Sequence, residues 1–152
     1  MSLTIRPARA GDREFILSLA PRFIEAGLPV WRLADDIVGG TARQLERALE
    51  HSDKRGVVLI AERESGTPIG FSWVLLIDDF YTGETIGKIS EIAVQRSGFG
   101  VGRALMEASE AWARERGAQL MTLNVLETNE PARAFYRALG YAPEYSMFAK
   151  RM

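Results

Sequence analysis

The feature that most constrains the fold is Gly98-Phe99-Gly100-Val101-Gly102, set between an alternating apolar run and a helical one. Ile86 to Val94 ahead of it reads as a strand. Behind it Ala104, Leu105, Ala108, Ala111 and Trp112 recur at helical spacing to about Arg116, where Gly117 stops the helix. A glycine-rich turn in that setting leaves backbone N–H groups unpaired at a helix start, with room for a ligand to approach closely. The helix dipole there favours an anion. The first helical side chains are Val101, Arg103 and Ala104, and no acid precedes Glu107, so the chain does not supply that anion itself. The pattern favours a phosphate site over a bare flexible turn.

A P-loop is excluded, because no Gly-Lys-Ser/Thr follows. A dinucleotide-binding βαβ unit is a rival, since Glu127 lies where a ribose-binding acid belongs. Against it, the third glycine position holds Arg103 or Leu105, and no room is left for a second mononucleotide half.

The rest of the chain places this unit in a larger sheet. Leu3 to Arg6 alternates as a short first strand, and Asp12 can cap a helix to about Ala26. Val30 to Gly40 reads as irregular, and Thr41 to about Glu50 as a second helix. Val57–Glu62 and Ile69–Ile77, turned by Ser65-Gly66, form a hairpin by pattern. Leu120 to Leu126 reads as a buried strand, Asn129 to Leu139 as a short helix stopped by Gly140, and Tyr145 to Lys150 as a last strand. The order β-α-α-β-β-β-α-β-α-β predicts an α/β (α+β) domain with a mixed, mostly antiparallel sheet flanked by helices. No linker divides it, so residues 1–152 read as a single domain.

Composition narrows the chemistry. The chain has no cysteine and one histidine, His51, which excludes thiolate nucleophiles, disulfides and Cys- or multi-His metal sites. His51 reads as a surface residue at a helix end. Lys+Arg is 19 and Asp+Glu is 20, so nothing marks a basic platform for nucleic acid. No apolar run approaches the ~20 residues of a membrane span, and the start lacks a signal pattern; the expectation is a cytoplasmic protein.

Residues 90–141 resemble the GNAT superfamily of acetyl-CoA-dependent N-acetyltransferases. The carrying residues are Ser90-Glu91-Ile92-Ala93-Val94, the run Gly98 to Leu105, and the run Asn129 to Tyr141, with Ile5-Arg6-Pro7-Ala8 and Asp12 similar to the family's start. The resemblance implies that Ile92, Ala93 and Val94 pair with the pantetheine arm of acetyl-CoA and offer N–H to the acetyl oxygen. It implies that the pyrophosphate rests on the loop from Ser97 through Gly98, Phe99, Gly100, Val101 and Gly102 to Arg103. The family's Gln/Arg position falls on Ser97, and the loop's entry is about two residues short, so Gln95 and Arg96 become candidate substitutes. Asn129 can cap its helix and also contact the cofactor arm.

Tyr136 matches the family's tyrosine, whose phenol can give a proton to the leaving thiolate. Glu91, in an otherwise apolar strand, is either the base for an ammonium or a structural carboxylate. Asp78-Asp79 read as surface turn acids, and Trp31, Phe80 and Tyr81 as candidate walls of an acceptor pocket. The expected reaction is direct attack of a small molecule's primary amine on acetyl-CoA through a tetrahedral intermediate. A protein N-acetyltransferase and a non-catalytic acyl-CoA-binding module are the alternatives, and pairing as a homodimer through sheet edges or C-terminal strands stays open.

Overall fold

In the computed structural model, which describes residues 2–50 and 54–152, five strands form one sheet in sequence order: β1 (Leu3–Pro7), β2 (Gly56–Arg63), β3 (Pro68–Asp78), β4 (Thr85–Val94) and β5 (Met121–Leu123). The first four pair antiparallel, and β4 pairs with β5 in parallel. The mixed, mostly antiparallel sheet is the one the sequence predicts. Ser65-Gly66 makes the β2–β3 turn, with Gly66 at φ 80° and Arg63 N donating to Thr67 O at 3.0 Å.

Both faces of the sheet are covered, which explains why β2 reads as an unbroken apolar run. Val58 and Ile60 pack with Ile16, Leu19 and Leu45 of the N-terminal helices, while Leu59 and Ala61 pack with Val101 and Leu105 on the other face. Among the described residues the α-helices are α1 (Arg13–Ser18), α2 (Ala34–Glu50), α3 (Val101–Glu115) and α4 (Glu130–Ala138). None among the described residues is long and apolar enough to cross a membrane. His51 lies outside the described residues.

Three expectations are corrected. The helix expected from Asp12 to Ala26 is broken: α1 ends at Ser18 and a 3₁₀ segment runs Ala20–Ile24. Pro21 is the reason, since it has no N–H and its ring clashes with the carbonyl four residues back. The second helix starts at Ala34, not Thr41, because Asp35 and Asp36 suit a helix start and Gly39-Gly40 are absorbed into its interior. The last strand does not form. Tyr141 is tied to Glu110 of α3, and Pro143 just beyond it cannot donate to a ladder; Ala142 to Met152 then run fully exposed.

Candidate active site

β4 and β5 are paired only over Gly87–Ile89 and Met121–Leu123. Beyond Ile89, β4 continues to Val94 with β3 as its neighbour, so the sheet opens between β4 and the chain that follows β5. Trp73 lies opposite Glu91 and Val74 opposite Ile89, which leaves Ser90 as the extra residue of a β-bulge where the opening begins. A bulge bends its strand and interrupts the local ladder.

The opening leads to a cleft of about 490 Å³, within the usual size of a small-molecule site. Ile92, Ala93 and Val94 form one wall, and Phe135 and Tyr136 of α4 with Leu139 just after it form the other. Ser97, Gly98, Gly100, Val101, Gly102 and Arg103 line its end. The 3₁₀ segment and the residues after it reach both sides: Arg22 donates to Gln95 O at 2.5 Å, and Thr128 Oγ1 donates to Gly27 O at 3.2 Å.

The loop glycines have separate causes. Gly98 (φ 90°) and Gly100 (φ 75°) are left-handed, and a Cβ on either would meet nothing within 4 Å, so conformation rather than crowding requires them. Gly100 caps α3 with no side-chain hydrogen bond, and the first turn holds no acid. The first N–H groups of α3 therefore face an open approach, as the sequence predicts. At Gly102 a Cβ would sit 3.2 Å from Phe135 Cζ; this glycine lets α4 close onto α3.

Phe99 does not line the cleft. It is 55% exposed, and its ring carries the Arg96 guanidinium at 5.3 Å. Arg96 does line the cleft, whereas the Gln95 backbone is taken up by Ile69 and Arg22. Of the two candidate substitutes for the family's Gln/Arg, Arg96 is thus the one at the site. Asn129 caps α4, its Oδ1 accepting from Ala132 N at 3.2 Å.

Tyr136 is held in an aromatic stack, 5.3 Å from Phe135 and 6.1 Å from Tyr141 between ring centroids. Burial, reinforced by the charge of Glu91, pushes its phenol up to about 12. Burial also pushes the Glu91 carboxyl up to about 7, against an opposing pull from Lys88. Tyr141 donates to Glu110 Oε1 at 2.8 Å, fixing the stack from α3. Sequence reading missed this support: Tyr141 closes a motif, but nothing in the spacing of α3 singles out Glu110. Asp79 accepts from Thr82 and Asp78 pairs with Arg55 in the β3–β4 turn, while Trp31, Phe80 and Tyr81 are exposed and outside the cleft.

The sequence profile of the acetyltransferase (GNAT) family matches residues 23–141. The chain belongs to that family. A relative of comparable length, the aminoglycoside N(6′)-acetyltransferase type 1 of Stenotrophomonas maltophilia, is 29% identical over 143 residues, covering 91% of this chain and 85% of that protein. The mycothiol acetyltransferase of Thermobifida fusca is 34% identical over 94 residues, 59% of this chain but 29% of its own length. Among solved structures, a putative acetyl transferase from Pyrococcus furiosus superposes with TM-score 0.79 at 24% identity, over 99% of this chain and 100% of that one. AAC(6′)-Iy in complex with the bisubstrate analog CoA-S-monomethyl-acetylneamine superposes with TM-score 0.73 at 20% identity, over 100% and 99%. These two likenesses concern the fold.

As a GNAT acetyltransferase, the chain takes its acetyl group from acetyl-CoA. The site suits that donor on its own terms. A long cleft ends at an acid-free helix start with glycine-shaped open space above it, and Arg96 and Arg103 stand at its lining.

Proposed function

We propose that this GNAT enzyme acetylates a primary amine of a cationic small molecule of the aminoglycoside type. The aminoglycoside acetyltransferase activity of the 29%-identical relative, which this chain matches over most of both lengths, supports the choice of acceptor class. The observation that supports the mechanism is that Tyr136 lines the cleft beside Ile92–Val94 of β4 and feels the charge of Glu91, one residue earlier on that strand.

Amine attack on a thioester requires a neutral amine, a hydrogen-bonded oxyanion and a proton for the departing sulfur. Glu91, ionised above about pH 7, takes the proton of the incoming ammonium directly or through a water. The β4 segment Ile92–Val94 presents backbone N–H to the acetyl oxygen. Tyr136 stays protonated through the physiological range and donates its O–H to the sulfur as the C–S bond breaks. The proton that the new amide nitrogen sheds restores the phenol. Glu91 releases the proton it took from the ammonium to solvent, so the products are an N-acetyl amine, the free thiol of CoA and one proton. Arg96 and the N–H groups at Gly100–Arg103 hold the pyrophosphate.

The test is thiol release from acetyl-CoA against a panel of aminoglycosides, polyamines, amino acids and an N-terminal peptide. Turnover confined to the peptide would refute the acceptor class. Thiol release with no amine in the panel, together with no thermal shift by acetyl-CoA, would refute the enzyme reading.

A further inference from the structure

α4 carries Tyr136, yet none of its residues is buried. A helix so little enclosed is held by a few separate contacts, and each acts at a different point along it. At its start Asn129 caps it, and Thr128 just before donates to Gly27 O. In its third turn Phe135 closes onto the bare backbone of Gly102. The last turn, where Tyr136 stands, has another anchor.

That anchor is Tyr141. Its backbone N–H donates to Tyr136 O at 3.0 Å, and its ring meets the Tyr136 ring edge-on at 6.1 Å. Main chain and side chain thus tie the two tyrosines together. The Tyr141 hydroxyl reaches away from the cleft and donates to Glu110 Oε1 of α3 at 2.8 Å. Burial, reinforced by this hydrogen bond, holds the Tyr141 phenol above its ordinary value, so it remains the donor.

Glu110 is well placed to hold a neighbour still. Met106 and Ser109 beside it are fully buried, and Ser109 is bonded to Ser72 of β3. Among the described residues Glu110 has no cation beside it and accepts from Tyr141 alone. A bond to an ionised acceptor is stronger than one to a neutral group. Neither Glu110 nor Tyr141 lines the cleft, so neither touches the reacting atoms.

We propose that Glu110 is a positioning residue for acetyl transfer: by holding the Tyr141 hydroxyl to α3, it fixes the last turn of α4 and with it the Tyr136 phenol. The proposal rests on Tyr136 being the general acid. Proton transfer needs the donor within hydrogen-bond reach of the sulfur, so a small displacement of the helix end is felt in the chemical step. The phosphate loop lies at α3's other end and is left as it was.

The test is a mutant cycle read by thiol release, which reports CoA alone because the chain has no cysteine. Rates are taken with acetyl-CoA and kanamycin, or whichever amine of the panel turns over fastest. Tyr141→Phe and Glu110→Ala should each lower kcat about tenfold, with the KM for acetyl-CoA held within about twofold. Glu110→Gln, which still offers an oxygen, should recover most of the rate. In a Tyr136→Phe background Glu110→Ala should cost nothing more, since no phenol is left to position. A wild-type kcat in Tyr141→Phe, beside a lowered one in Tyr136→Phe, overturns the proposal and leaves the acid standing. A raised KM with kcat kept overturns it too, as does a Gln variant no better than Ala or a loss that multiplies in the double variant. Unchanged kcat in Tyr136→Phe refutes the acid, and the proposal falls with it. Should Glu110→Ala fail to fold, Tyr141→Phe, which keeps the ring, takes its place in the cycle.

Discussion

Burial acts in one direction on Glu91 and Tyr136 and leaves them in different states at neutral pH. The raised carboxyl titrates in the working range, and the raised phenol remains a donor. Replacing Glu91 by Gln should abolish the limb of the rate profile that rises through about pH 7, with the fall steepest on the alkaline side. A profile that keeps this limb in the variant would remove Glu91 as base. The same residue makes a stability prediction. A carboxyl raised in the folded state binds its proton there more tightly than in the unfolded chain. Its contribution is complete below the unfolded value and is lost as pH rises to about 7. Chemical denaturation of Glu91→Gln and wild type should therefore diverge between pH 5 and 8, the variant gaining on the order of 2 kcal/mol relative to wild type. For Tyr136→Phe the ring stack stays filled, so thermal stability should hold while kcat drops by about 10²-fold. Unchanged kcat, measured by thiol release, would leave the phenol without a chemical part.

At the scale of elements, α3 is fastened to β3 by a polar contact inside an apolar layer. Ser109 Oγ donates to Leu105 O at 2.8 Å, which leaves Ser72 Oγ to donate to Ser109 at 2.8 Å, and both side chains are fully buried. Ser109→Ala alone orphans the Ser72 hydroxyl and should cost about 2 kcal/mol. Adding Ser72→Ala should return most of that loss, a coupling that urea denaturation of the cycle measures directly. Neither serine was legible in the sequence, because a small polar residue on an apolar face looks the same whether it is paired or facing water. The elements themselves were largely legible where a local cause sufficed. Gly117 and Gly140 end their helices at φ 93°, and Asn129 caps α4. Reading failed where the cause is tertiary. Nothing local says that Gly39-Gly40 will be carried within α2, or that Phe99 will turn outward to hold Arg96. The last strand has the right alternation, but a strand exists only where an edge receives it.

On the scale of the whole molecule, the start of the chain is joined toward the cleft through one part-buried ion network. Arg6 on β1 donates to both carboxylate oxygens of Asp12, at 2.7 and 3.0 Å, and its Nε donates to Glu62 of β2 at 2.8 Å. Asp12 also accepts from Arg9 N at 2.7 Å and sits at the start of α1, whose Ile16 packs in one cluster with Ala93 of the cleft wall. This network and the core cluster thus join the first strand and the first helix to the wall of the cleft. The Arg6 guanidinium holds the Asp12 carboxyl below its ordinary range, despite burial. A lowered carboxyl contributes stability above its unfolded value near 3.9 and loses it as pH falls through the folded value. Asp12→Asn removes a charge that compensates a part-buried arginine, while Glu62 retains half of the pairing. The expected cost is about 3 kcal/mol at pH 7, or roughly 8 °C in Tm for a domain of this size. The gap between variant and wild type should narrow as pH falls below about 4, because the unfolded wild type then binds a proton that the folded Asp12 carboxylate, held low by Arg6, still refuses. Denaturation at pH 7 and pH 3 decides it: an equal gap at both values would mean that shape, not charge, joins the chain's start to the sheet.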